Sequence, residues 1–310
     1  MHHNTFTFIL SGLAALGQAA PVRDAAPPNE AADMPANLLR DLHTAEAFAK
    51  RVSGPQQVLS NWTAAGSDLC SWAGFYCDTV PNTNELGLAS IDFNEFGLTG
   101  NLKLSGFLDK FTDLALFHAN DNGFSGEVPD LSQLQYLYEI DLSNNKFSGP
   151  FPQSVLRINL LGFLDLRFNK FSGPIPDNVF TAYPSLDALF LNNNKFSGQI
   201  PNTIGSFPGE YLVLANNRLS GPIPDSLGSA IQLKEFLASG NKLSGSIPDA
   251  IGYLPHLELF DVSNNKLTGT VPEALCASKS LQSIVLTGNK LSKDLGPICQ
   301  ASKAKGILEI

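Results

Sequence analysis

The chain has 310 residues, 43% of them hydrophobic and 16% charged, with a net charge of −9. That balance argues against nucleic acid as a partner, because a nucleic-acid-binding surface is basic. Length alone would suggest two globular domains, but a repeat running through most of the chain overrides that guess.

Residues 1–20 carry an apolar run from Phe6 to Leu16 and then small residues, which predicts a secretory signal peptide cut between Gly17 and Ala20. The run is shorter than the ~20 residues a membrane-spanning helix needs. Residues 21–35 are rich in Ala, Pro and acid and read as a flexible linker. The expected product is secreted and extracellular, with no membrane span.

An N-terminal cap is expected over residues 36–85. Leu38, Leu42, Ala45, Ala49 and Val52 fall three or four apart, which predicts an amphipathic helix with Pro35 in its first turn. Such a helix would cover the open apolar end of whatever follows. Asn61-Trp62-Thr63 is an N-glycan acceptor in a secreted chain. Cys70 and Cys77 lie just before the repeats, and Cys276 and Cys299 bracket the last one. An even count in a secreted chain predicts disulfides. Of the three possible pairings, the simplest is local, Cys70 with Cys77 and Cys276 with Cys299, each contributing ~2–4 kcal/mol. A metal site is the alternative, but paired Cys-x-x-Cys spacing and nearby histidines are missing.

The repeat is clearest at Leu137 to Pro152, LYEIDLSNNKFSGPFP, and its key Asn returns at Asn122, Asn145, Asn169, Asn194, Asn217, Asn241, Asn265 and Asn289. The gaps are 23, 24, 25, 23, 24, 24 and 24 residues, so one structural unit is being stacked. A weaker copy from Leu88 to Gly100 puts Phe96 in the Asn slot and brings the total to about nine. Each unit holds one short strand. Alternation sends Ile140 and Leu142 inward and Glu139, Asp141 and Ser143 outward. One unit cannot bury its apolar side alone, whereas stacked units can, as a parallel sheet with strands about 4.8 Å apart. The Asn amide can satisfy backbone groups freed where the chain leaves the strand. The Gly after Phe-Ser or Leu-Ser permits backbone shapes closed to other residues, and the following Pro fixes φ. Phe124, Phe147, Phe171, Phe196, Leu219, Leu243 and Leu267 then fill the coil.

NRLSGPIP, at Asn217 to Pro224, resembles the plant-type leucine-rich repeats. TDLALFHANDNGFSG (Thr112 to Gly126), SGPFPQSVL (Ser148 to Leu156), FLDLRFNKFSGPIP (Phe163 to Pro176) and LDALFLNNNKFSGQIPNTIG (Leu186 to Gly205) are similar to the repeat domain of leucine-rich-repeat extensins. Polygalacturonase-inhibiting proteins share the repeat more distantly. The resemblance covers roughly residues 36–293. It implies an α/β repeat fold: a right-handed leucine-rich-repeat solenoid with a parallel β-sheet on the concave face, repeats over 86–293, disulfide-stapled caps, and a C-terminal cap and tail over 294–310. It also implies that Cys70-x-Trp72-x-Gly74-x-x-Cys77 belongs to the N-terminal cap, with Trp62 and Trp72 packed there. The implied location is the cell wall and the implied ligand a basic signalling peptide. The alternatives are inhibition of a wall-degrading enzyme such as polygalacturonase, or a structural wall protein holding acidic polysaccharide. The sequence has no Pro-rich extensin tail, so cross-linking through one is not expected.

Strand register makes outward positions into columns. The central one runs Asp92, His118, Asp141, Asp165, Phe190, Val213, Leu237, Asp261 and Val285, and the one before it includes Glu139, Phe163, Ala188, Tyr211, Glu235 and Leu259. Phe163, Phe190, Tyr211, Val213, Leu237 and Leu259 are expected to form an exposed apolar area rimmed by Glu139, Asp141, Asp165, Glu210, Glu235, Glu258 and Asp261. An aromatic centre with an acidic rim suits a basic, partly apolar peptide or protein. Arg167 is a lone cation there, expected to pair with Asp141 or Asp165. His118, between Asp92 and Asp141, should favour its charged form.

A stripe of Lys146, Lys170, Lys195, Arg218, Lys242, Lys266 and Lys290 recurs once per repeat and offers a site for a linear polyanion; the bland reading is a row of solvated turns. No phosphate-binding loop or metal-ligand run interrupts the pattern. No catalytic residue, metal or cofactor is therefore expected, and binding rather than enzymatic activity is predicted.

Overall fold

A computed structural model describes residues 34–62, 68–81 and 83–310. The expected signal peptide, residues 21–33 of the expected linker and Thr63 of the glycan acceptor lie outside the described residues.

Eleven strands form one sheet in chain order: β1 (Phe75–Thr79), β2 (Leu86–Asp92), β3 (Leu116–His118), β4 (Glu139–Asp141), β5 (Phe163–Asp165), β6 (Ala188–Phe190), β7 (Tyr211–Val213), β8 (Glu235–Leu237), β9 (Leu259–Asp261), β10 (Ser283–Val285) and β11 (Leu308–Glu309). Strand β1 pairs antiparallel with β2. From β2 onward every pairing is parallel, with equivalent residues opposite one another: Asp92 with His118, His118 with Asp141, Asp141 with Asp165, Asp165 with Phe190. The columns read from the sequence are therefore physical columns.

The inward residues Ile140, Leu164, Leu189, Leu212, Phe236 and Phe260 are fully buried. The Asn column links successive coils. Asn145 Nδ2 donates to the carbonyls of Ala119, Leu142 and Ser143 at 2.7, 3.2 and 2.9 Å, and its Oδ1 accepts from Phe124 N–H at 2.9 Å. Asn169, Asn217, Asn241 and Asn265 repeat the arrangement. Buried backbone groups need such partners; the Ser143 carbonyl also accepts from Asp121 N–H at 3.3 Å.

Behind the Asn column the rings of Phe124, Phe147, Phe171 and Phe196 stack with centroids 6.2 Å apart at each step. A second ladder of short strands, Ser125–Gly126 through Lys290–Leu291, runs along the stack. Gly149, in that ladder, has φ +97°, a conformation that a side chain would strain. The Pro that closes each phrase starts the turn on the opposite side: Pro152, Pro176, Pro201, Pro224 and Pro248 each precede a short 3-10 helix. Fixed φ suits that position and the missing N–H costs nothing there.

Helix α1 (Ala36–Ala49) closes the first end. Its buried face is Leu38, Asp41, Ala45 and Phe48, whereas the expected Leu42 and Ala49 are only half-buried. Pro35 caps the helix rather than joining its first turn. The shift has a physical cause: Phe48 extends the Phe column, its ring 6.2 Å from Phe124 and 3.9 Å from Phe107. Trp62 packs beside it at 6.3 Å, and Trp72 stacks on Trp62 with centroids 6.3 Å apart. Disulfides join Cys70 to Cys77 and Cys276 to Cys299, the local pairing. Helix α2 (Pro297–Ala304) closes the other end, where Glu273 accepts from the N–H groups of Ile298 and Cys299 at 3.0 and 3.1 Å. Anions favour the unpaired donors of a helix start.

Candidate functional site

The helices sit at the ends, with α1 against β2 and α2 against β11. The outward side chains of β3 to β10 therefore meet mainly each other and solvent. Their arrangement divides into three parts.

The first is acidic. His118 Nε2 lies 3.0 Å from Glu139 Oε2. Burial pulls the imidazole pKa down, but the Glu139 hydrogen bond and the charges of Asp141, Glu139 and Asp92 outweigh it, and the net direction is up from 6.5. The sequence reading placed His118 between two aspartates; the direct partner comes from the neighbouring column instead.

The second is the centre, and here the expected exposure is corrected. Phe190 is 3% exposed, Val213 2% and Leu237 9%. Phe163, Tyr211 and Leu259 are half-buried and remain accessible. Alternation correctly sends Phe190 outward, but the guanidinium of Arg167 then covers its ring, 5.3 Å from the centroid, and Phe163 meets it edge-on at 5.7 Å. Asp165 is also hidden, with its side chain fully buried. Its Oδ2 lies 2.9 Å from Arg167 Nε, and Oδ1 accepts from Arg167 N–H at 2.9 Å. Burial, and then Asp141, hold the Asp165 carboxyl well above 3.8 despite Arg167. The expected pairing of Arg167 is thus with Asp165.

The third is a polar edge along the start of the strands. Lys234 Nζ pairs with Glu210 Oε2 at 2.7 Å, and Gln282 donates to Glu258 at 3.1 Å. Burial, then Glu258, raise the pKa of Glu235. Asp261 is half-buried in the central column.

Two residues were missed from sequence. Phe168 is 47% exposed at φ +53°, on a column whose other members are Glu95, Asp121, Asn144, Asn193, Asn216, Gly240, Asn264 and Gly288, all left-handed. Aligning the repeats would have exposed it as the aromatic in an Asn/Gly slot. Asn192 is buried with an unpartnered Oδ1 among the described residues. The cationic stripe, Lys146 to Lys290, is exposed throughout and lies on the second ladder, apart from the concave face. The Asn61 side chain is already engaged, with Nδ2 donating to Ser71 O at 2.9 Å. Among the described residues no group of side chains is arranged to hold a metal, and no helix is long and apolar enough to cross a membrane.

Comparison with known proteins agrees with this geometry. Leucine-rich repeat family models match residues 136–157, 185–207, 210–230 and 231–291, and a leucine-rich repeat N-terminal domain model matches 47–78. Leucine-rich repeat extensin-like protein 1 of Arabidopsis thaliana is 42% identical over 93 residues, which is 29% of this chain and 12% of that protein. Among solved structures, the ectodomain of the Arabidopsis receptor kinase HAESA, in complex with an N-terminally extended IDA peptide hormone, is 27% identical with a TM-score of 0.63. That match covers 84% of this chain and 48% of the HAESA chain. The Arabidopsis GASSHO1/SCHENGEN3 ectodomain shares the fold at a TM-score of 0.70 and 24% identity, over 81% of this chain and 33% of that one. The chain is a leucine-rich repeat protein of the plant type, similar in its repeat region to the leucine-rich repeat extensins.

Proposed function

We propose that this protein is a secreted binding module that takes a peptide or protein segment bearing basic side chains on its concave face, at the cell wall. The observation that carries the reading is the face itself: half-exposed Phe163, Tyr211 and Leu259 beside the half-buried carboxylates Glu139, Asp141, Glu235 and Asp261. Apolar centres anchor and charged rims steer. The sheet offers about 40 Å of strand stacking, enough for an interface of standard size. HAESA, which shares the repeat architecture, is in complex with a peptide. Two disulfides suit an oxidising, extracellular setting.

The test is a panel of secreted basic peptides against the protein and its Phe163→Ala/Tyr211→Ala/Leu259→Ala variant. Tight binding lost in the variant supports the reading, and unchanged binding removes it. The exposed cationic stripe favours a second, separate activity: retention on an acidic wall polysaccharide. Replacing Lys146, Lys170, Lys195 and Lys242 with Gln should then release the protein from immobilised polygalacturonate, and retention insensitive to salt and to these changes would contradict it.

A further inference from the structure

Arg167 is an odd occupant of its site. Its guanidinium covers Phe190 and lies beside Asp165, yet Arg167 Nε and Asp165 Oδ2 both lack a hydrogen bond among the described residues. The two atoms are 2.9 Å apart, so opposite charges meet without the alignment a hydrogen bond needs. Asn192 Oδ1, one repeat along from Arg167 in the same column, is also buried and unpartnered. A carboxylate oxygen and an aromatic ring thus meet one cation at the centre of the face, with a buried amide oxygen at the register position one strand on, and Arg167 Nε hydrogen-bonds to none of them. Buried polar atoms left unpaired are uncommon in native proteins.

Carboxylate, amide oxygen and ring face together make a receptor for a planar cation. A guanidinium has five donors in a fixed fork, which suits more than one acceptor around its plane, and it stacks on aromatic faces. Arg167 reaches the site tethered to its own backbone, and the next residue, Phe168, is held at φ +53°. An arginine arriving from solvent is free of that constraint. We propose that Asp165, Phe163, Phe190 and Asn192 form a binding pocket for one guanidinium or ammonium group of a ligand, and that Arg167 fills it in the free protein. The inference rests on the basic-peptide reading for its ligand, and it makes Arg167 a built-in competitor that a ligand side chain displaces.

The experiment uses the full chain and its Arg167→Ala variant, with N-ethylguanidinium as the probe for an arginine side chain. At tenfold excess over its Kd the probe should raise the melting temperature of the variant by about 3 °C and leave the wild type unmoved. Adding Asp165→Asn or Phe190→Leu to the variant should remove the shift. Hexa-arginine should bind Arg167→Ala about tenfold more tightly than wild type, measured by calorimetry. If Arg167→Ala does not fold, Arg167→Met keeps an apolar cover over Phe190 and takes the same tests. A folded variant that ignores the probe overturns the pocket. Peptide binding that needs Phe163, Tyr211 and Leu259 but is indifferent to Arg167→Ala also overturns it, and leaves the peptide reading standing. Rescue by the probe when no variant binds any peptide supports the pocket and removes the peptide reading.

Discussion

Glu139 Oε2 accepts from His118 Nε2 at 3.0 Å, across adjacent strands of the sheet. The pair makes stability depend on pH in a fixed direction. The folded pKa of His118 is raised above 6.5, so its contribution is fully present below that value and is lost as pH rises through the folded pKa. Thermal melts should show wild type losing stability relative to His118→Gln as pH climbs from about 6 to 8. Parallel curves for the two proteins would contradict the ion pair.

Asp41 gives a second pH signature, in the cap. Burial raises its pKa from 3.8 to about 6, against the Arg40 hydrogen bond and charge. The sign is again that of a raised group: stability is fully present below 3.8 and is lost as pH rises through about 6. Asp41→Asn should therefore flatten the melting profile in that range and stabilise the protein at pH 7 by roughly 1–2 kcal/mol. A destabilised variant at neutral pH would show that the Arg40 contact outweighs burial.

Phe168 holds a left-handed backbone that six of the other eight repeats assign to Asn or Gly, the exceptions being Glu95 and Asp121. That conformation costs an L-residue about 1–2 kcal/mol, least for Asn. Phe168→Asn should raise stability by about 1 kcal/mol in denaturant titration. A loss instead would mean that the ring, although 47% exposed, packs against its neighbours more strongly than the strain it imposes.

The Asn column should behave as a structural seam. Asn145→Ala leaves the carbonyls of Ala119, Leu142 and Ser143 and the N–H of Phe124 without their side-chain partner. A cost of roughly 1–3 kcal/mol is expected by urea unfolding. A neutral result would require other partners or water to make up the bonds lost at the carbonyls of Ala119 and Leu142 and the N–H of Phe124; the Ser143 carbonyl keeps the Asp121 N–H.

What sequence could and could not reveal follows from which forces repeat. Asn145, Gly149 and Pro152 answer backbone demands that recur through the middle coils, so their slots could be read and their neighbours placed in register. The outward columns followed from alternation alone. Exposure did not, because it depends on sideways contacts between columns: Arg167 leaning over Phe190 is a particular side-chain encounter with no period. Alternation could say that Phe190 points out, but not that its neighbours close over it. The face of α1 was misread for a related reason. Phe48 joins an aromatic stack belonging to distant repeats, and this turns Asp41 inward at a position that a hydrophobicity pattern assigns to solvent.

The central claim is that ligands land on the concave sheet. Tyr211→p-benzoylphenylalanine and Lys195→p-benzoylphenylalanine place a photo-crosslinker on the sheet and on the cationic stripe respectively. After irradiation with a captured basic peptide, mass spectrometry should find the peptide joined at position 211 and not at 195. Crosslinks confined to position 195 would contradict the account.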